Sequence, residues 1–137
     1  MNNTIINENG LLKINLDFLG DNYNNLKNSL KKSRIGCVLK SDAYGLGLIE
    51  VTKKLLKTGC NDFFLTNLGE SLKVRNECSK SNIILLNGLI NLDENEINQV
   101  FNNKIIPTIN SLDELKKFYE LSKSLSPIPK VTLHFDT

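Results

Sequence analysis

The chain has one histidine, three unpaired-looking cysteines, almost no net charge and no long apolar run, and each scarcity removes a class of function. Lys and Arg number 17 against 15 Asp and Glu, a net charge of +2. That balance leaves no electrostatic footprint for nucleic acid. The doublets Lys31-Lys32 and Lys53-Lys54 read as solvated helix faces. No stretch approaches the roughly 18–20 apolar residues of a membrane helix, and Met1-Asn2-Asn3-Thr4 lacks the basic and apolar regions of a signal peptide. A cytoplasmic protein with no membrane partner is expected. Cys37, Cys60 and Cys78 show no C-x-x-C spacing, which suits reduced cysteines used as small packing residues. His134, the single histidine, forms no Cys/His pair at metal-ligand spacing, so no metal is expected. Neither a nucleophile elbow nor a P-loop pattern occurs.

What is present is a repeat. With 137 residues, 40% hydrophobic and 23% charged, the chain is about the size and composition of one globular domain. Leu12–Leu16 alternates apolar and polar and predicts a half-buried strand standing apart. A helix is expected over 18–33, with Leu19, Tyr23, Leu26 and Leu30 as its apolar stripe. Val/Ile/Leu-rich runs then begin near residues 35, 62, 82, 105 and 130, and a helical pattern fills each interval: 48–58, 68–78, 93–102 and 112–125. Runs without alternation suit parallel strands covered on both faces. Gly59 stands where a left-handed glycine would end a helix. Asn67-x-x-Glu70, Asn91-x-x-Glu94 and Ser111-x-x-Glu114 have the spacing of helix-entry capping boxes. The fold class is α/β. A doubly wound sheet and part of an eight-stranded barrel both fit the spacing. On the barrel reading the chain holds five of eight βα units and is expected to be a fragment.

Strand C-terminal tips are where βα folds place their chemistry. The tips and following loops here hold Lys40, Tyr44, Thr66, Asn67, Asn87, Gly88, Asn110 and His134-Phe135-Asp136-Thr137. Lys40 is the strongest of these. An ammonium at the end of a buried strand must find a partner or lose its charge, and a neutral amine is what carbonyl chemistry requires. Tyr44-Gly45-Leu46-Gly47 ahead of a helix suits a phosphate contact through its hydroxyl and backbone amides. A snorkelling lysine and a turn without function are the competing readings. His134 fits a barrel-lining position as well as a general base.

Taken together these pieces resemble the alanine racemase family. Val38-Leu39-Lys40-Ser41-Asp42-Ala43-Tyr44-Gly45-Leu46-Gly47 resembles its V-V-K-A-[DN]-A-Y-G-H-G motif. Leu12–Leu16, Asn67–Ser71 with Arg75, Ile83–Gly88 and Leu133–Thr137 resemble further stretches of the N-terminal half. Leu46 departs from the family histidine and Ser41 from the common alanine. The resemblance implies a (β/α)8 TIM barrel that binds pyridoxal 5'-phosphate, here as about five of eight βα units over residues 1–137, preceded by one strand and a helix, with a C-terminal β domain absent. It implies a dimeric isomerase that interconverts L-alanine and D-alanine for peptidoglycan. Lys40 would be the catalytic lysine that forms the internal aldimine, and Tyr44 would contact the cofactor phosphate. The second base would lie outside the chain, leaving it inactive alone. A non-catalytic cofactor-binding protein of the related single-barrel family is the alternative.

Overall fold

The computed structural model describes residues 12–30 and 32–135. Expectations for Met1–Thr4, Lys31, Asp136 and Thr137 lie outside the described residues. Five strands form one sheet in the order β1-β2-β3-β4-β5: Cys37–Val38, Asp62–Leu65, Asn82–Leu85, Ile106–Ile109 and Thr132–Leu133. Every neighbouring pair is parallel, with Phe63 opposite Cys37, Ile83 opposite Phe63, Ile106 opposite Ile84 and Thr132 opposite Thr108.

The strand order separates the two architectures that the spacing left open. A doubly wound sheet reverses its order at a switch point. Here each strand pairs with the next and the order never reverses, so right-handed crossovers put the helices that connect the strands on one side of the sheet. That is the winding of a barrel, present as five strands.

The helices are α1 (Leu16–Ser29), α2 (Lys40–Gly45), α3 (Leu48–Lys57), α4 (Leu68–Glu77), α5 (Glu94–Asn102) and α6 (Leu112–Ser122). Their apolar stripes meet the sheet in one core. Leu48, Val51 and Leu55 of α3, Val74 of α4, Ile97 and Val100 of α5 and Phe118 of α6 pack with Phe63, Leu65, Ile83, Leu85 and Ile109. The expectation that both sheet faces are covered holds only in part. Along β2, Phe63 and Leu65 are fully buried while Phe64 is half-buried, and Val38 of β1 is 42% exposed. Gly59 ends α3 at φ 89° as expected, its amide donating to Leu56 O.

Three local readings are corrected. Leu12–Asn15 is not a strand, and α1 begins already at Leu16; the alternation finds no neighbouring strand to pair with among the described residues, and Leu12 stays exposed. The α1 stripe is displaced. Its buried residues are Gly20 and Tyr23, while Leu26 and Leu30 remain exposed. Gly20 accounts for this, because a side chain there would meet Lys54 of α3 and Thr58 just after it, so α1 docks through its glycine. Finally, α5 is capped by Asp93 with Glu96, a complete capping box, rather than by Asn91 with Glu94.

Candidate active site

At the tip of β1 the chain does something the sequence does not announce. Leu39 N still donates to Phe64 O, continuing the ladder for one residue. Ser41, Asp42, Ala43 and Tyr44 then take φ values of 53–58° and ψ values of 35–56°. These are left-handed helical dihedrals in four successive non-glycine residues. Each costs roughly 1–2 kcal/mol against the right-handed form. Gly45 at φ 81° and Gly47 at φ 93° lead out of the turn, where only glycine is comfortable. The expected loop is therefore a turn of left-handed helix, α2, closed by Ala43 N donating to Leu39 O and Gly47 N to Asp42 O.

A left-handed helix keeps the periodicity of its mirror image, so residues four apart share a side. Lys40 and Tyr44 are four apart, and the Lys40 Nζ lies 6.0 Å from the Tyr44 ring centroid. The two residues singled out from the sequence are thus brought together. Tyr44 is 61% exposed and Lys40 is half-buried. Lys40 is thus not fully buried, so the requirement for a partner that a fully buried ammonium would have does not fall on it.

Two carboxylates hold the turn, and neither role was evident beforehand. Asp42 Oδ1 accepts from Leu48 N at 2.8 Å, capping α3. Glu70 on α4 accepts from Asp42 N at 2.7 Å and from Ser41 N at 3.3 Å. Asn67 caps α4 as expected, its Oδ1 accepting from Glu70 N, and its amide nitrogen donates to Glu70 Oε2 at 2.9 Å. Glu70 thus sits at capping-box spacing but spends its carboxylate on the neighbouring unit. Glu114 does the same two βα units further on. It is 3% exposed, and it accepts from Asn110 N at the β4 tip and from Leu89 N after β3. Identical spacing produces a reciprocal cap in one helix and a tether between units in two others; only the three-dimensional position of the preceding loop separates them.

The remaining tip residues divide. Thr66, Asn67, Asn87 and Gly88 line a cleft of about 290 Å³ on the same end of the sheet. His134 is exposed on the β5 tip, its Nδ1 3.1 Å from Asn110 Oδ1, so it is neither buried nor near the Lys40 turn in hydrogen bonding. A larger cleft of about 570 Å³, lined by Arg75, Lys104, Ile105 and Lys130 among others, lies at the opposite end, where the strands start. Size does not mark the site here, because βα chemistry belongs to the C-terminal tips. Arg75 at that far end is structural: its guanidinium donates to the carbonyls of Cys78, Ser79, Ser81, Asn103 and Lys104. Among the described residues no group of three or more His, Cys, Asp or Glu side chains is placed to hold a metal ion. No helix among them is long and apolar enough to cross a membrane.

Fold and site together define a parallel βα barrel segment that carries a lysine and a tyrosine on the tip of its first strand. The chain belongs to the alanine racemase N-terminal domain family, whose profile matches residues 14–137. It is 32% identical over 127 residues to the alanine racemase of Rickettsia canadensis, covering 92% of this chain and 35% of that protein. It is 34% identical over 129 residues to the catabolic alanine racemase of Rhizobium johnstonii, covering 93% and 33%. The chain therefore spans about a third of the length of these relatives. Among solved structures, alanine racemase from Bartonella henselae with covalently bound pyridoxal phosphate matches with a TM-score of 0.73 and 27% identity, over 80% of this chain and 30% of that one. Alanine racemase of Clostridium difficile 630 in complex with cycloserine matches with a TM-score of 0.71 and 34% identity, over 86% and 32%.

Proposed function

We propose that this chain is the N-terminal part of a pyridoxal-phosphate-binding barrel in an alanine racemase, with Lys40 as the cofactor-holding and catalytic lysine and Tyr44 as a phosphate contact. The observation that carries the reading is the placement of the Lys40 amine and the Tyr44 ring on one side of a strained turn at a strand tip. Backbone strain of this kind persists where the surrounding structure imposes it, and it concentrates at functional sites.

The residues suit the cofactor chemically. Its aldehyde needs a primary amine and its phosphate needs donors; Lys40 supplies the first and the Tyr44 hydroxyl one of the second. Nothing stands within 4 Å of where a side chain would begin at Gly45 or Gly47, so a ligand can approach that backbone closely. When bound, the cofactor supplies an electron sink that makes loss of the amino-acid Cα proton feasible. The amine of Lys40 then serves as acid and base toward one face of Cα. Inverting that carbon needs a second base on the opposite face. The relatives' remaining two-thirds is where that group, a β domain and a homodimer contact would come from, and the chain alone would be inactive. Alanine is the substrate this reading assigns, and D-alanine for peptidoglycan its use in the cytoplasm.

The test is reduction of the protein, expressed from its full reading frame with pyridoxal phosphate, by borohydride, followed by peptide mass mapping. The label is expected on Lys40, and Lys40→Ala is expected to abolish racemisation. A label on another lysine, or retained activity in the variant, refutes the assignment.

A further inference from the structure

The Ser41–Tyr44 turn is the least favourable backbone in the described chain, with four successive left-handed residues that carry side chains. At roughly 1–2 kcal/mol each, the turn would not hold its shape by itself. Its own hydrogen bonds include those from Ala43 N to Leu39 O, Leu46 N to Ala43 O and Gly47 N to Asp42 O. As in any helical first turn, the leading amides are left without internal partners. Those of Ser41 and Asp42 are met from outside, by the two oxygens of one carboxylate, Glu70, on the next βα unit. The carboxylate is itself fixed from behind by the Asn67 amide at 2.9 Å.

We propose that Glu70 is a positioning residue: by binding the first two amides after Lys40 it locks the left-handed turn, and so aims the Lys40 amine and the Tyr44 ring at a common ligand. The inference rests on the assignment of Lys40 and Tyr44 to the cofactor and adds the group that sets their direction. Charge-assisted bonds to backbone amides are about twice as strong as neutral ones. They fall on the two peptide units that follow the lysine, so their loss lets the tip relax toward right-handed dihedrals and carries the amine away from Tyr44. The Asn67 cap of α4 is made to the Glu70 backbone amide, which is kept when the carboxylate is replaced.

Glu70→Ala and Glu70→Gln are compared with wild type and with Arg75→Lys, a substitution at the far end of the sheet. Two quantities are read in the full-length holoprotein: the rate at which added pyridoxal phosphate becomes borohydride-trappable at Lys40, and the induced circular dichroism of the bound cofactor, which reports its orientation. A misplacement of about 1 Å is worth on the order of 100-fold in rate. Glu70→Ala is expected to slow trapping tenfold or more and to change the induced signal. Glu70→Gln, which keeps one acceptor oxygen, is expected to fall between. Arg75→Lys is expected to leave both readings unchanged. If Glu70→Ala does not fold, Glu70→Gln decides by the same two readings. Lowered stability with wild-type trapping and an unaltered induced signal overturns the proposal, because Glu70 would then be only a structural tether. Failure of wild type to be trapped at Lys40 overturns instead the assignment of Lys40 on which the proposal rests.

Discussion

Replacing Arg75 by methionine should loosen the end of the barrel remote from the site, by an amount its contacts allow to be worked out. Arg75 Nε donates to Asn103 O at 2.9 Å, Nη1 to Cys78 O and Ser81 O at 2.9 Å, Nη2 to Lys104 O at 3.0 Å and Nη1 to Ser79 O at 3.3 Å. Bonds from a charged donor are worth about 1.5–3 kcal/mol each when buried. Three of these five are part-buried and two are exposed, and exposed carbonyls rehydrate when the partner leaves. Burial also lowers the pKa of the guanidinium, so the native state carries a desolvation cost that methionine removes. The net loss expected for Arg75→Met is about 2–4 kcal/mol, or a fall of about 1–2 M in the urea midpoint for a domain of this size. Hydrogen exchange should quicken in the 78–81 turn and at Asn103-Lys104, while the Lys40 turn keeps its protection. Arg75→Lys retains the charge but not the planar fork that reaches two loops at once, and should lose more than half as much stability. Full stability in Arg75→Lys would show that charge alone suffices and would refute the clamp. A loss below about 0.5 kcal/mol in Arg75→Met would refute it outright.

Two further outcomes follow from the α1–β1 side of the core. Burial, followed by the negative charge of the neighbouring Cys60, pushes Tyr23 from 10.0 up to about 12. A group whose folded pKa is raised holds its proton more tightly when folded, so its contribution is complete below pH 10 and lost as pH rises from 10 to 12. The urea midpoint of wild type should therefore fall relative to that of Tyr23→Phe across this window; parallel profiles would show that Tyr23 is not buried as described. Cys37 and Cys60 hold their sulfurs 3.6 Å apart, and the hydrogen bond between them brings Cys60 down to about 7. Diamide, which takes up the two thiol hydrogens, should join them in one intramolecular disulfide with a mass loss of about 2 Da. Cys37→Ser should show no such loss, and a bridge to Cys78 in wild type would contradict the packing.

The βα repeat was legible in the sequence because parallel strands are short continuous apolar runs and the helices carry stripes of period 3.6. Strand and helix positions from Asp62 to Ser122 agree with those expected to within a few residues at most, as do the Gly59 stop and the Asn67 and Ser111 caps. The motif around Lys40 also carried the family from sequence alone. The errors fell where a partner, not the local pattern, decides. Leu12–Asn15 alternates like a strand but has no strand beside it among the described residues, and α1 buries Gly20 because close approach to α3 outweighs the leucine stripe.

What the sequence determined, then, is the succession of elements and the presence of a lysine and a tyrosine four residues apart after the first strand, since both are properties of short windows. Barrel winding was decided by the unreversed strand order, which depends on pairing between residues far apart in the chain. The handedness of the Ser41–Tyr44 turn was decided in the same way. No propensity of serine, aspartate, alanine or tyrosine favours four left-handed residues in succession. They are held there by a carboxylate 28 residues further on, and such a contact exists only once two units of the barrel are side by side.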